Sequence, residues 1–156
     1  MNGVNGGRVR RATAADVGAL AALRRAWVEE EAGPIADGGA FEREVAQWYT
    51  AEAGRRVTWI ATVGGEPVGM LNLVEFHRMP RPGRRHSSWG YISNVFVLAA
   101  HRSGGIGREL LDAAIGTARE RGYARLVLSP SERAKPLYAR VGFGAADVLM
   151  LMPLDE

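Results

Sequence analysis

Apolar positions recur along the chain at two spacings, and the switches between them divide it into elements. Arg8 to Ala12 reads as a short first strand. Thr13 follows as an N-cap with Asp16 in a capping-box place, and Val17, Leu20, Leu23 and Trp27 then recur at helical spacing. That helix runs to about Glu31 and breaks at Gly33-Pro34. After a loop from Ile35 to Gly39, a second helix sets Phe41, Val45 and Trp48 on one face and ends near Gly54. At Arg56 the spacing changes to two. Val57, Trp59, Ala61 and Val63 face one way, and Thr58, Ile60 and Thr62 the other. Gly64-Gly65-Glu66-Pro67 turns the chain into a returning strand, Val68 to His77.

Arg78 to Ser88, with two prolines and four arginines, reads as a loop, and Gly90 to Ala99 as the most apolar, central strand. A glycine-rich turn, Arg102 to Gly107, leads into a helix striped by Ile106, Leu110, Leu111, Ala114, Ile115 and Ala118 and ended by Gly122. Leu126 to Ser129 is a short buried strand, Ser131 to Val141 a last helix and Val148 to Pro153 a final strand. The order β-αα-βββ-α-β-α-β predicts a single α/β domain over residues 8–156, a mixed central sheet flanked by helices, behind a flexible glycine-rich tail at 1–7.

Composition narrows the chemistry. The 156 residues suffice for one domain with one sizeable core. Cysteine is absent, which removes disulfides, thiolate metal sites and cysteine nucleophiles, and 3 histidines make a histidine metal cage a poor expectation; no metal is expected. The net charge of +3 is weak support for nucleic-acid binding, and the arginines of the 78–86 loop have no interleaved aromatics, so no nucleic-acid partner is expected. The start has no signal-peptide core, and the apolar run Val95 to Ala100 is too short to cross a bilayer. A cytoplasmic protein without a membrane partner is the expectation.

Arg102-Ser103-Gly104-Gly105-Ile106-Gly107-Arg108 lies between an apolar strand and an amphipathic helix. Glycines let a backbone pass close to a ligand, and a helix start offers free N–H groups and a positive dipole end, a place for a diphosphate. The Rossmann fingerprint fails because Leu110 stands where a third glycine belongs, and a phosphate-binding P-loop fails for want of a lysine. Taken alone, such a run is more often a tight turn. Downstream, however, stands Ala134-Lys135-Pro136-Leu137-Tyr138-Ala139-Arg140-Val141-Gly142-Phe143.

With these two segments the chain resembles the GNAT superfamily of acetyl-coenzyme-A-dependent N-acetyltransferases, of the bacterial small-molecule or protein-acetylating type. The Arg-x-x-Gly-x-Gly turn matches at Arg102, Gly105 and Gly107, and the Ala-x-x-Leu-Tyr-x-x-x-Gly-Phe segment at Ala134 to Phe143. The opening Val9 to Asp16 is also similar to the family's start. The resemblance implies that acetyl-CoA is the cosubstrate. The main chain of a strand splayed from its parallel neighbour, here Val95 and Val97 with Phe96 between them, would bond the pantetheine arm. The N–H groups of Arg102, Ser103, Gly104, Gly105, Ile106, Gly107 and Arg108 would hold the pyrophosphate, with the Arg102 and Arg108 side chains adding charge. Tyr138 would be the general acid in direct transfer, in which a primary amine attacks the thioester, a tetrahedral intermediate forms and the coenzyme thiolate leaves. Amides near Val97 would polarise the carbonyl.

Departures accompany the likeness. Ser131 stands where the family often has asparagine, and can cap the last helix or bond the coenzyme arm. Tyr91 stands where some members carry a catalytic glutamate, leaving Glu75 and His77 as substitutes that are more simply read as structural. Glu29, Glu30 and Glu31 suit either a cationic acceptor or a solvated helix end. The acceptor, an amine on a small molecule or a peptide, is not named by the sequence, and a homodimer is left open. The alternative is a catalytically reduced acyl-CoA-binding module with a sensing or regulatory role.

Overall fold

The computed structural model describes residues 7–155; residues 1–6 and 156 lie outside it, and with them all but Gly7 of the predicted tail. Five strands form one sheet in the order β1-β2-β3-β4-β5: β1 (Val9–Arg11), β2 (Arg56–Val63), β3 (Glu66–His77), β4 (Ser88–Val97) and β5 (Leu126–Leu128). Neighbours run antiparallel except β4 and β5, which are parallel. Helices α1 (Val17–Ala32) and α2 (Ala40–Glu52) lie on one face, and α3 (Ile106–Glu120) and α4 (Lys135–Val141) on the other.

The two-residue period of β2 is what gives the sheet two apolar faces. Trp59 and Ala61 join Leu71, Leu73, Ile92, Leu110 and Leu111 under α3, while Ile60 joins Leu20, Leu23, Met70 and Phe96 under α1. The β2–β3 hairpin turns on Gly64 and Gly65 alone, with φ of 58° and 82°, the double left-handed turn that matches strand twist. At the start of α1, the Asp16 carboxylate accepts the Thr13 N–H at 2.8 Å, as expected of the capping box, and is held far below the usual carboxylate range, chiefly by Arg10.

Two sequence expectations are corrected, and the apolar face of α2 takes a form its spacing did not specify. No strand forms at Val148 to Pro153: the segment is irregular, with Val148 79% and Met150 100% exposed. A strand needs a ladder partner, and β5, only three residues long, offers little edge to pair with. The last helix starts at Lys135, because residues 131–134 form a turn capped by Ser131 Oγ, which accepts the Ala134 N–H at 3.3 Å. The apolar stripe of α2 has no buried residue; Phe41, Val45 and Trp48 line a cavity instead of closing a core.

One feature of the sheet sets the site. The β4–β5 ladder spans only Gly90–Leu126 to Ile92–Leu128, and β4 then runs on unaccompanied to Val97. On its other side β4 stays paired with β3 through a bulge opposite Met70 to Asn72, where Asn94 takes a left-handed φ of 53°. Gly90 is what lets β4 and β5 meet where they do. A Cβ there would stand 2.7 Å from Leu73 Cδ1 and 2.9 Å from both Leu126 Cδ2 and Tyr123 Cε2. Gly90→Ala is therefore expected to destabilise the fold by ~1–3 kcal/mol through overpacking. Urea unfolding should show the lowered midpoint with an unchanged slope.

Candidate active site

Past Ile92 the main chain of β4 has a free side. The Leu98 N–H donates to Val68 O at 2.8 Å and so faces β3. Alternation then turns the peptide groups of Val97 and Val95 toward the gap, and those of Phe96, paired with Met70, toward β3. The Phe96 side chain is core, stacked on Trp27 with centroids 5.4 Å apart. Of the three predicted strand residues, Val95 and Val97 offer main-chain bonds to a ligand, and Phe96 lines the gap without offering its own.

The gap opens onto a cavity of about 460 Å³. It brings together Val95, Phe96, Val97, Arg102, Ser103, Gly105, Ile106, Gly107 and Arg108 with Tyr138; Gly104 and Ser131 are not on its wall. The glycines of the turn have separate reasons. Gly105, the residue before α3, takes φ of 86°. Gly107 has an ordinary backbone, but a Cβ on it would press to 3.3 Å from Leu137 Cδ2, so it lets α4 approach α3. Ser103 is also left-handed, at 65°. The first bond back along α3 is Glu109 N–H to Gly105 O, 3.0 Å, so the N–H groups of Ile106, Gly107 and Arg108 have no acceptor within the helix. With the positive helix end they form an anion cradle. Arg8, just before β1, braces it, donating to Gly104 O at 2.9 Å and pairing with Glu109 at 2.7 Å.

The two arginines of the turn differ. Arg102 is engaged: both terminal nitrogens meet Glu30 of α1 at 2.7 Å and Nε donates to Val97 O at 2.9 Å. In this structure the side chain forms a clamp between α1 and the end of β4. Arg108 makes one surface pair with Asp112, 3.1 Å, and stays at the cavity wall. Sequence reasoning missed His101, Arg133, Leu137 and Arg140, which also line the cavity. Leu137 and Arg140 were readable, since an interval of three lies along one helical face, whereas Arg133 sits in the turn before α4.

Tyr138, 8% exposed, is held edge-on to Phe143 with centroids 5.9 Å apart. Burial raises its pKa, so it carries its proton at neutral pH. Its hydroxyl has no hydrogen-bond partner among the described residues, yet the one buried side-chain polar atom left unpaired among them is Ser87 Oγ. Tyr138 is therefore not sealed in the core, and it lines this cavity as well as another of about 700 Å³ beside β5 and residues 143–149. Glu75 and His77 do not: Glu75 is bonded by the Tyr123 hydroxyl and by Arg121 at 2.9 Å, with His77 3.2 Å away, at the end of β3 opposite the gap. Burial and Glu75 push the Tyr123 hydroxyl up to about 12. This cluster is a structural clamp. Tyr91 bonds Ser129 Oγ at 3.1 Å.

A second cavity, about 540 Å³, lies under α1 and α2. Ser93 and Asn94 of β4 line it, and the next residues, Val95 to Val97, line the first, so consecutive residues at the bulge serve the two cavities. None of the three acids Glu29, Glu30 and Glu31 is on its wall. Glu29 bonds Arg25 and the Ile35 N–H, Glu30 bonds Arg102, and Glu31 is exposed. The polar pair Ser93-Asn94, interrupting the most apolar strand, was the sequence signal for this junction.

Comparison with known proteins places this geometry. Residues 20–143 match the Acetyltransferase (GNAT) family. A glucosamine 6-phosphate N-acetyltransferase of Trypanosoma brucei brucei is 30% identical over 90 residues, 58% of this chain and 59% of that enzyme's length. Among solved structures, a GCN5-related N-acetyltransferase of Ralstonia eutropha superposes with TM-score 0.70 at 29% identity, covering 94% of this chain and 97% of the other. A predicted acetyltransferase of Clostridium acetobutylicum, solved with acetyl-CoA, gives 0.73 at 22%, covering 92% and 94%. The chain belongs to the GNAT acetyltransferase family.

The Glu30–Arg102 clamp makes a pH-dependent prediction. Arg102 holds the Glu30 carboxyl below its usual range, so the pair's contribution is complete above the unfolded pKa of about 4.3 and is lost as pH falls through the lower folded value. Thermal melting should therefore show wild type above Glu30→Gln from neutral pH to about pH 5, and convergence of the two in stronger acid.

Proposed function

We propose that the chain is an acetyl-CoA-dependent N-acetyltransferase that moves an acetyl group to a primary amine by direct transfer. The observation that carries this reading is Tyr138, a residue lining the β4–β5 gap whose hydroxyl is protonated and has no protein partner among the described residues. When bound, acetyl-CoA supplies an activated thioester. The chain's part is to position and to protonate. The N–H groups at the start of α3 hold the diphosphate, and the outward peptide groups of Val95 and Val97 orient the pantetheine arm along the gap. The Val97 carbonyl is already held by Arg102 at 2.9 Å, which leaves its N–H for the ligand. Tyr138 gives its proton to the departing thiolate. The amine enters from the second cavity, across Ser93 and Asn94.

No carboxylate or histidine is among the residues lining the second cavity, so the amine's proton leaves through water. The same observation favours the second reading, an acyl-CoA-binding module with a sensing or regulatory role; steady release of coenzyme thiol with an amine panel separates the two. N-acetylation is the activity in the name of the trypanosomal relative, which supports the first.

Tyr138→Phe keeps the ring against Phe143 and removes only the hydroxyl. Where chemistry limits turnover, kcat should fall ~10²–10⁴-fold while calorimetry gives an acetyl-CoA affinity close to wild type. Wild-type kcat in the variant would assign the proton to water, and a joint fall in affinity and melting temperature would make the hydroxyl structural.

A further inference from the structure

The second cavity has a charge pattern that the acetyl-transfer reading does not require. Its wall contains three arginines, Arg24, Arg55 and Arg56, and no acidic residue. Arg55 and Arg56 both bond Glu52, so one carboxylate serves two cations. Arg24, on α1, makes no hydrogen bond or ion pair among the described residues; its guanidinium lies 4.8 Å above the Trp27 ring. Its neighbour Arg25 makes the contrast, pairing with Glu29, Asp37 and Glu42 at 3.3, 2.9 and 3.0 Å. Acids are thus available at this end of α1, yet Glu29, Asp37 and Glu42 turn to Arg25 and Glu30 to Arg102, while Glu31 is exposed and off the cavity wall.

The rest of the wall is suited to a small organic body. Phe41 and Trp48 of α2 and Phe76 of β3 supply apolar area. On the sheet, Thr58 donates to Asn72 Oδ1 at 2.5 Å, which fixes Asn72 beside Asn94 at the junction with the gap. A guanidinium among aromatic walls with no counter-charge is half of a charge-assisted pair, and Arg presents a planar fork that fits a carboxylate or a phosphate. The same field repels an ammonium group, so a simple cationic amine is disfavoured here.

We propose that the acceptor is an amine bearing an anionic group of its own, a carboxylate or a phosphate ester, and that Arg24 receives that group. The inference rests on the reading above in taking this cavity as the acceptor's. The anion sits at the α1 wall and the amine at Asn94, next to the gap.

The test uses matched acceptors on the full-length chain: an aromatic amino acid against its amide, and phosphoethanolamine against ethanolamine. Each pair is compared at equal concentration of neutral amine. In at least one pair the wild-type kcat/KM should favour the anionic member tenfold or more, and the pair that shows it distinguishes carboxylate from phosphate. That ratio should fall close to one in Arg24→Gln, drop below one in Arg24→Glu and be partly kept in Arg24→Lys, with melting temperatures confirming folded variants. Wild-type ratios near one in both pairs, or a ratio indifferent to Arg24, overturn the inference and leave acetyl transfer standing. If no amine is acetylated, calorimetry of the same pairs on the coenzyme A complex decides. An Arg24-dependent preference for the anionic members upholds the inference while the transfer reading fails, and its absence overturns both.

Discussion

Two parallel strands that part company after three paired residues impose most of what this molecule can do. A parallel ladder that stops leaves the main chain of the longer strand with peptide groups and no partner, a costly arrangement unless a ligand or solvent bonds them. Here the unpartnered stretch, Ser93 to Val97, lies between two cavities and ends at the turn that starts α3. Gly90 brings the strands together, the bulge at Asn94 re-aims the chain, and Gly105 and Gly107 let α3 and α4 close around the far end. The gap is a consequence of packing on both sides of it, and it does not depend on any one catalytic side chain.

Charge pairing holds this arrangement open. Arg102 would be a natural phosphate ligand by position, yet it bridges Glu30 and the Val97 carbonyl and so fixes the end of β4 against α1. Arg8, just before β1, ties the turn and the start of α3 to the sheet through Gly104 O and Glu109. Exposed pairs of this kind add little stability singly; their value here is geometric. They leave Arg108, paired only with Asp112, by the α3 cradle and Arg24 of α1, unpaired among the described residues, on the cavity walls.

What the sequence made legible was local. The α3 stripe, the two-residue period of β2, the glycine turn and the segment around Tyr138 are all read within a dozen positions, and the structure has them close to where the periods put them. What it hid was long-range. Glu30 and Arg102 are 72 positions apart, so the turn's arginine reads as a phosphate ligand until its partner is seen. The stripe of Phe41, Val45 and Trp48 has the period of a core face, and only the spacing of α2 from the sheet turns it into a cavity wall. Val148 to Pro153 has the composition of a strand, but composition does not provide an edge to pair with.

The central claim is that free peptide groups of β4 and the start of α3 form the coenzyme slot. Amide NMR of the labelled protein, titrated with acetyl-CoA, tests it residue by residue. The N–H signals of Val95, Val97, Ile106, Gly107 and Arg108 should shift and gain protection from hydrogen exchange. Those of Phe96 and Leu98, already bonded to β3, should change little by comparison. Saturable binding that leaves Val95, Val97 and the α3 amides unmoved, with the shifts gathered in the cavity under α1 and α2, would contradict the account.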